Sequence, residues 1–460
     1  MLRAPGFALG VLFAVNTLNF YDRQVLGALT EPIRHEWGLD DFGSGALYVS
    51  FTLFYAVAGV PIGRLADIYP RRVILALGVF LWSILTAACG LAGGYWTLFV
   101  CRLGVGVGEA ACAPAAASLV GDLYRAERRG RALSIFMAGL PAGIALSYLV
   151  SGRVAAAFSW RAAFFVAGLP GLLLAALALV LPEPARGAAE ASSRNAGDPA
   201  RVTPEKDTGA VRTLLATPTF LWIVASGALH NFNMYALGVF LVSYLVRWHG
   251  LSLASANDGA TLIAGVGGAV GLFAGGIAAD LALRRWRRGR LFVATGGAVA
   301  AVPLLLLALA APRGQVAAFS LALGASVALT YAYYSGVYAT IQDLVEPRRR
   351  GTAMALYFFA MYTLGGALGP LATGALSDHL TRRAAAAAAV EASPGRVDAP
   401  AANAAPAAAQ SLEPYRAEGL RQAMHVLPGV CAALAIVLYA ASRTLPRDLD
   451  RRAERSTAPS

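Results

Sequence analysis

The sequence has little charge and only one lysine. Asp, Glu, Lys and Arg make up 14% of the 460 residues, 57% are hydrophobic, and the mean hydropathy is +0.59. Soluble domains usually carry about 25% charged residues, so this composition argues against a soluble globular protein. No G-x-x-x-x-G-K-[ST] phosphate loop occurs, and the only lysine, Lys206, lies between apolar runs. This excludes a nucleotide-driven pump built on that loop.

Reactive and metal-binding patterns are also missing. The four cysteines fall within apolar runs and lack the spacing of a metal site or a disulfide framework: Cys89, Cys101, Cys112 and Cys431. We interpret them as small buried apolar side chains. No constellation of nucleophile, base or metal ligands is present. The sequence therefore predicts a protein that is not an enzyme and binds neither a metal nor a cofactor.

The chain does contain a series of long apolar runs. A helix of about 18 residues or more can cross the bilayer core of about 30 Å. We predict an all-α membrane protein with twelve transmembrane helices, at 6–29, 43–66, 73–93, 95–121, 131–156, 160–181, 216–246, 256–281, 291–311, 315–342, 352–377 and 421–442. The first run lacks a signal-peptide cleavage pattern, so we interpret it as a retained span. The connections 182–213 and 379–418 are rich in Ala, Pro, Gly and charge, and are predicted to be flexible.

The net charge of +12 is distributed unevenly. With the amino terminus inside, most of the Lys and Arg residues fall in inner loops and tails, as the positive-inside rule requires. This pattern predicts that both termini, the linker 182–213 and the tail 447–460 are cytoplasmic and that 379–418 is outside. It also argues against a nucleic-acid partner. Arg in place of Lys, with an excess of Ala, is typical of a high-GC bacterial genome, so we expect a bacterial inner membrane protein. We also expect the protein to be a monomer.

Two short patterns occur twice in register. The pattern G-x-x-x-D followed by two arginines consists of Gly63, Asp67, Arg71 and Arg72, and 213 residues later of Gly276, Asp280, Arg284 and Arg285. A second block, D-L followed by R-R-G-x-A, starts at Asp122 and again at Asp343. Both blocks lie at inner helix ends. They predict a duplicated chain with six-helix halves at 1–181 and 214–446.

These motifs carry a resemblance to a known family. The stretch from Gly63 to Arg72 resembles the signature between the second and third helices of major facilitator superfamily transporters. Arg102, followed by Gly104, Gly106 and Gly108, resembles that family's fourth-helix signature. The stretches Asn19-Phe20-Tyr21-Asp22-Arg23 and Gly108-Glu109-Ala110 are similar to its spinster branch. The resemblance covers the whole chain. It implies two pseudo-symmetric halves and transport by alternating access.

Four charged residues lie inside the predicted spans: Asp22 and Arg23 in the first, and Arg102 and Glu109 in the fourth. Each charge at the centre of a membrane helix costs about 2.5 kcal/mol or more, so such residues usually face a cavity. A buried carboxylate is either protonated or paired with a cation. We therefore predict Asp22 and Glu109 as proton carriers, with Arg23 and Arg102 controlling their protonation. The alternatives are a helix end at Asp22-Arg23 and a permanent pair of Glu109 with Arg102 or Arg23.

Polar and aromatic residues of the spans predict the substrate site. His230 and Asn233 lie in the seventh span, where Asn231-Phe232 repeats Asn19-Phe20 at an offset of 212. The tenth and eleventh spans are rich in rings, and broad aromatic walls suit an amphiphilic substrate. We predict the substrate-binding residues Asn19, Tyr21, His230, Asn233, Tyr334, Tyr338, Tyr357 and Phe358. Ordinary helix packing is the alternative for each ring.

The repeated motifs predict a gate. A carboxylate at a helix carboxyl end needs cationic partners, and ion pairs present in only one conformation bias a gate. We predict the gating residues Gly63, Asp67, Arg71, Arg72, Asp122, Asp280 and Arg284. The alternative is that these residues form permanent contacts that hold the loops in place. Glycines and prolines of the fifth and eleventh spans, among them Gly139, Pro141 and Gly365, are candidate bending points or simple packing sites.

The sequence thus predicts a secondary carrier driven by a proton gradient. The spinster resemblance implies a lysophospholipid or a sphingoid phosphate as substrate, with Arg23 at the phosphate. The alternatives are an exporter of drug-like cations or organic acids and, from another class, a channel or a non-transporting membrane receptor. The predicted partners are a small amphiphilic or lipid molecule, protons and the bilayer.

Overall fold

The structure is a computed structural model that describes residues 4–185, 210–346, 349–392 and 412–457. In these ranges the chain forms helices and no β-strand. We number the long helical segments span 1 to span 12. The amino-terminal half contains span 1 (Pro5–Trp37), span 2 (Asp41–Ile68), span 3 (Arg71–Cys89), span 4 (Tyr95–Glu109 and Cys112–Leu123), span 5 (Ala126–Met137, Gly139–Leu146, Ser147–Ser151 and Gly152–Ala157) and span 6 (Trp160–Leu179).

The carboxyl-terminal half begins with a short helix, Ala210–Leu215. It continues with span 7 (Pro218–Arg247), span 8 (Leu253–Ala260, Thr261–Val266 and Gly267–Arg285), span 9 (Gly289–Leu309), span 10 (Val316–Leu344), span 11 (Arg350–Ala360, Met361–Gly366 and Leu368–Ala392) and span 12 (Glu413–Tyr415, Arg416–Met424 and Val426–Thr457). We call the end of the molecule that carries Pro5, Asp122 and Asp448 the termini end, and the opposite end the far end.

Eleven helical segments in the described ranges are long and apolar enough to cross a membrane. Span 1 is not among them, although its 33 residues are more than sufficient in length. Its polar and charged residues, such as Asn16, Asn19, Asp22 and Arg23, lower its hydropathy, and all four are buried. Span 1 is therefore a helix whose polar side chains are covered by other spans.

The predicted flexible connections are partly helical. Span 11 continues to Ala392, well past the predicted end at 377, and Arg416–Met424 is also helical. The extension is explained by the run of alanines from 384 to 389, because Ala has the highest helix propensity. The last helix likewise continues to Thr457, into the predicted tail. Most of 182–213 and the stretch 393–411 lie outside the described residues, and the predicted domain boundaries stay a prediction.

The turns at the far end repeat the duplication. Span 1 ends at Gly38 (φ 61°) and span 7 is followed by Gly250 (φ 72°), 212 residues later. Left-handed backbone of this kind favours glycine at a helix carboxyl end. Two residues further on, Asp40 and Ser252 cap the next spans by accepting hydrogen bonds from Gly43 and Ser255. Both halves therefore start their second helix with the same turn.

Glycine allows the halves to approach closely. A Cβ on Gly27 of span 1 would lie 2.2 Å from the carbonyl oxygen of Gly238 in span 7. Within the amino-terminal half, a Cβ on Gly143 would lie 2.3 Å from the carbonyl oxygen of Thr17. Small residues at such crossings are typical of membrane helices, which pack by close backbone contact. This packing places the middle of span 1 between spans 5 and 7.

Candidate functional site

Arg23 and Glu109 form an ion pair in the middle of the molecule. The Nε atom of Arg23 donates to Oε2 of Glu109 at 2.9 Å, and Asn19 donates to the same oxygen at 2.9 Å. The side chain of Glu109 is fully buried and that of Arg23 is 9% exposed. The sequence predicted these residues for one site, and the structure brings them together. It also selects Arg23, not Arg102, as the partner of Glu109.

Aromatic rings surround the Arg23 guanidinium. Its Cζ lies 4.2 Å from the ring centroid of Tyr55 and about 5 Å from the rings of Phe20 and Phe51. The Nη1 atom also donates to the hydroxyl of Tyr362 in span 11, at 3.3 Å. A guanidinium on ring faces gains cation–π attraction. Arg23 therefore connects the charged pair of the amino-terminal half to the carboxyl-terminal half.

Asp22 lies in a separate environment. Its carboxylate is fully buried, and the side chains of Trp82 and Thr86 are its polar neighbours. Arg102 donates to the main-chain carbonyl of Asp22 at 3.0 Å and not to its carboxylate. In this conformation Arg23 is paired with Glu109 and not with Asp22. Adjacent residues on a helix point in different directions, which separates Asp22 from Arg23.

Four of the predicted substrate residues, His230, Tyr334, Tyr338 and Phe358, lie in one cluster of rings. Six rings form a continuous row, which we call the aromatic row: Tyr55, Tyr362, Phe358, Tyr338, Tyr334 and His230. Successive centroids are 5.2, 6.2, 5.6, 5.6 and 4.8 Å apart. Such distances are typical of interacting aromatic pairs. The row begins at Tyr55, next to Arg23, and continues into the carboxyl-terminal half.

The other predicted substrate residues have diverse positions. Tyr357 is buried behind the row, and its hydroxyl lies 3.0 Å from that of Tyr333. His230 is buried and stacks on the ring of Tyr333 at 4.2 Å. Asn233 is buried, and within the described part of the chain its Oδ1 has no hydrogen bond. Tyr21 faces span 5, where its hydroxyl lies 2.9 Å from Oγ of Ser151, away from the row.

The predicted gate residues of the first repeat form an ionic cluster at the termini end. Arg71 is buried, pairs with Asp122 of span 4, and donates to Glu183 at 2.8 Å. The backbone N–H of Arg72 donates to the other oxygen of Glu183 at 2.9 Å. The sequence interpretation missed Glu183, because it lies just past span 6 in a stretch assigned to a linker. This carboxylate fastens the chain after span 6 to the start of span 3.

The second repeat forms a weaker cluster. Asp280 lies 3.6 Å from Arg290 of span 9, and Arg290 also pairs with Asp343 of span 10. Arg284 is exposed. Gly63 and Asp67 lie in span 2, but their side-chain surroundings are outside the described residues. The partner of the second-repeat aspartates is thus an arginine five residues beyond the repeated pattern.

A charge network at the far end was not predicted. Arg247 of span 7 lies 2.6 Å from Glu31 and 2.9 Å from Asp41, and all three side chains are buried. Arg34 of span 1 pairs with Glu413, at the start of span 12, at 2.6 Å. These contacts join the two halves. The sequence did contain a signal: Arg34 and Arg247 are 213 residues apart, which is the offset of the repeated motif.

The start of span 2 adds a further contact between the halves. Asp378 of span 11 accepts hydrogen bonds from the N–H groups of Asp41 and Phe42, at 3.0 and 2.8 Å. A carboxylate at a helix amino end satisfies free N–H groups and interacts favourably with the helix dipole. The far end is therefore closed by ionic contacts on several spans. No group of three His, Cys, Asp or Glu residues in the described ranges has the arrangement of a metal site.

Two helical halves, a charged pair buried in the first half in contact with the second, and a closed far end are features of a membrane transport protein. The sequence profile described as Major Facilitator Superfamily matches residues 12–370. The chain belongs to this superfamily, and within it to the spinster-related transporters. It is accordingly a transporter and not an enzyme.

The similar curated proteins include transporters from bacteria and vertebrates. An "MFS-type efflux pump" of Mycolicibacterium smegmatis is 32% identical over 81% of this chain and 85% of its own length. "Protein spinster homolog 1" of Bos taurus is 30% identical over 81% and 73%. The "Sphingosine-1-phosphate transporter SPNS2" of Xenopus tropicalis is 28% identical over 82% and 74%. These matches confirm the predicted family and its spinster branch.

A solved structure agrees with the fold. It is a bacterial homologue of the human lysosomal transporter spinster in an inward-facing and unoccupied conformation. Its TM-score is 0.80 at 29% identity, with 96% of this chain and 98% of that chain covered. The prediction of an all-helical twelve-span fold in two halves is thereby confirmed.

Proposed function

We propose that this transporter moves an amphiphilic lipid with a phosphate group, such as a lysophospholipid or a sphingoid phosphate, by proton-coupled alternating access. The observation that carries the proposal is the position of Arg23. Its guanidinium lies between the halves, where one oxygen of Glu109 and the first rings of the aromatic row contact it. An arginine held in this way offers a charged anchor beside an apolar wall.

The chemistry of the site supports a phosphate-bearing ligand. Guanidinium groups bind phosphate through paired, charge-assisted hydrogen bonds. Arg23 uses its Nε atom for Glu109, and its Nη1 atom donates to the hydroxyl of Tyr362 in the other half. The aromatic row then provides a surface for an acyl or sphingoid chain. The name of the SPNS2 relative, a sphingosine-1-phosphate transporter, supports the same substrate class.

Glu109 supports the proton coupling. When Arg23 turns to a phosphate, Glu109 loses its cation while it stays fully buried. A buried carboxylate without a partner is more stable in its protonated form. Anion binding at Arg23 and proton binding at Glu109 would then be linked. Asp22 is the second proposed proton carrier, because its carboxylate is fully buried and Arg102 donates to the main-chain carbonyl of Asp22 instead of to the carboxylate.

A second candidate is export of drug-like cations. Glu109 and Asp22 place two buried carboxylates near the site, and the relative from Mycolicibacterium smegmatis is named an efflux pump. Arg23 opposes this candidate, because it neutralises Glu109 and would repel a cation. We therefore rank the anionic lipid first.

The test is transport by purified protein in proteoliposomes. We expect uptake of a fluorescent lysophosphatidylglycerol to increase about tenfold with an imposed pH gradient. Glu109→Gln should abolish this response while the protein still binds the lipid. Glu36→Gln is the matched control, because Glu36 lies at the far end and pairs with Arg161 at the surface. A Glu109→Gln protein that still concentrates lipid in response to the gradient would refute the role of Glu109.

We also propose that the termini end is cytoplasmic in a bacterial inner membrane and that the protein acts as a monomer. Arg125, in the exposed turn before span 5, lies at the termini end, and Gln315, before span 10, lies at the far end. In intact cells an impermeant thiol reagent should label Gln315→Cys and not Arg125→Cys. The opposite pattern would invert the topology.

A further inference from the structure

A cavity of about 260 Å³ lies at the termini end of the carboxyl-terminal half. It is bounded by the short helix Ala210–Leu215, the start of span 7, the end of span 10 and the end of span 12. The cavity is separate from Arg23 and the aromatic row, and its lining includes no residue of either. It is therefore not part of the proposed transport site.

The walls of this cavity are basic. Four arginines line it, Arg212, Arg349, Arg451 and Arg452, together with two carboxylates, Glu346 and Asp448. The lining therefore has a net positive charge. The apolar part of the lining includes the buried side chains of Phe220 and Leu214.

The Asp448 carboxylate already has partners. Its Oδ2 accepts the N–H of Thr219 at 2.9 Å, at the start of span 7, and its Oδ1 lies 3.7 Å from Arg451. The carboxylate therefore caps the start of span 7, and its distance from Arg451 leaves that positive charge only weakly neutralised. Arg451 is 63% exposed and Arg212 is exposed, so both guanidiniums remain accessible at the mouth of the cavity.

We propose that this cavity binds a phosphate-bearing anion. Arginine side chains from two directions would hold the phosphate by charge-assisted hydrogen bonds. The apolar part of the lining would accept the carbon atoms next to it. Basic pockets between membrane helices at the interface bind anionic lipid head groups, so the adjacent leaflet is one source of the ligand and free phosphate is the other. A ligand here would tie the short helix to spans 7, 10 and 12.

The experiment measures binding to the intact purified protein in detergent. The probes are phosphatidylglycerol, phosphatidylcholine and inorganic phosphate, and the readouts are native mass spectrometry and thermal unfolding. The test variant is Arg212→Gln/Arg451→Gln. The control is Arg443→Gln/Arg447→Gln, which removes two exposed arginines of span 12 at the same end and in the same half that do not line the cavity.

We expect phosphatidylglycerol to bind wild type and control equally and the test variant at least tenfold more weakly. Phosphatidylcholine, which has no net charge, should not distinguish the variants. Selective binding of the lipid identifies the leaflet as the source, and selective binding of inorganic phosphate identifies the free ion; both support the site. Equal affinities of the test and control variants for both anions would overturn it, since surface charge alone would then explain binding.

Discussion

Arg247 and Glu31 form a buried ion pair, 2.6 Å long, that joins the two halves at the far end. Arg247 also lies 2.9 Å from Asp41, and Arg34 lies 3.2 Å from Glu31, so two guanidiniums face two carboxylates. Glu31 and Asp41 belong to spans 1 and 2, and Arg247 belongs to span 7. An alternating-access cycle must separate these groups when the far end opens. The pair is thus a contact specific to the closed far end.

The first prediction concerns this contact. Removing one partner of a buried ion pair leaves uncompensated charge and costs about 3–5 kcal/mol. We expect Arg247→Gln to lower the thermal unfolding midpoint of the purified protein clearly. Arg153→Gln is the control, because its pair with Asp258 is exposed on both sides and such pairs contribute about 0–1 kcal/mol. Equal midpoints for both variants would show that the Arg247 contact does not stabilise this conformation.

The second prediction concerns the phosphate anchor. Arg23→Lys keeps the charge but loses the planar group that contacts Glu109, Tyr362 and the Tyr55 ring together. We expect about tenfold weaker binding of a sphingoid phosphate, measured by fluorescence titration in detergent. Binding of the uncharged sphingoid alcohol should not change. Arg313→Lys is the control, since Arg313 lies over the Trp248 ring at the far end. Unchanged affinity for the phosphate would remove Arg23 from the site.

The third prediction concerns the aromatic row. Tyr338 contacts the rings of both Tyr334 and Phe358, at 5.6 Å. Aromatic contacts contribute about 0.5–1.5 kcal/mol each beyond the buried area. Tyr338→Ala should therefore weaken lipid binding by about tenfold. Tyr439→Ala, in span 12, removes an exposed ring and should leave affinity within twofold of wild type. Similar losses in both variants would mean that the row does not contact the lipid.

The fourth prediction concerns pH and Glu183. Burial alone would raise the pKa of Glu183, but the N–H of Arg72 and the guanidinium of Arg71 outweigh it and lower the pKa below its ordinary value. The charged form is thus favoured in the folded state. Its contribution to stability is present above the unfolded pKa of about 4.3 and is lost as the pH falls through the lower folded pKa.

Thermal unfolding at two pH values measures this contribution. Glu183→Gln should lower the unfolding midpoint at pH 7, and the difference from wild type should begin to shrink near the unfolded pKa of about 4.3 and disappear below the folded pKa. Glu391→Gln, at an exposed position near the end of span 11, should match wild type at both pH values. A difference for Glu183→Gln that persists in acid would indicate a steric effect of the substitution.

The sequence was sufficient for the fold and for the members of the central site. Burying a charged residue in a membrane span costs free energy, so Asp22, Arg23 and Glu109 were recognisable without a structure. Their pairing was not. Arg102 and Glu109 are seven residues apart on one face, about 10 Å along the helix axis. In the structure Arg102 donates to the main-chain carbonyl of Asp22, and Arg23 pairs with Glu109. Which arginine reaches Glu109 depends on how span 1 packs against span 4.

The far-end network shows a second limit. Arg247 ends an apolar run, and such a residue normally marks the edge of the membrane. Its burial follows only from the contact with Glu31 and Asp41 across the two halves. Composition and hydropathy describe single helices, whereas this pair arises from the docking of two of them. Glu183 was missed for the same reason, since its partners come from span 3.

Spans 5, 8 and 11 share a feature with a consequence for helix geometry: each contains a π-turn, at Ser147–Ser151, Thr261–Val266 and Met361–Gly366. A π-turn holds one residue more than an α-turn, and a helix advances about 100° per residue. The side chains of the two parts of each span therefore point in different directions around the helix axis. In span 8, Asn257 before the π-turn donates to Ala28 of span 1, whereas Gly271 after it packs on the carbonyl of Ala328 in span 10. Span 8 thus contacts the amino-terminal half with one helix face near the far end. It contacts its own half with a differently oriented face nearer the termini end.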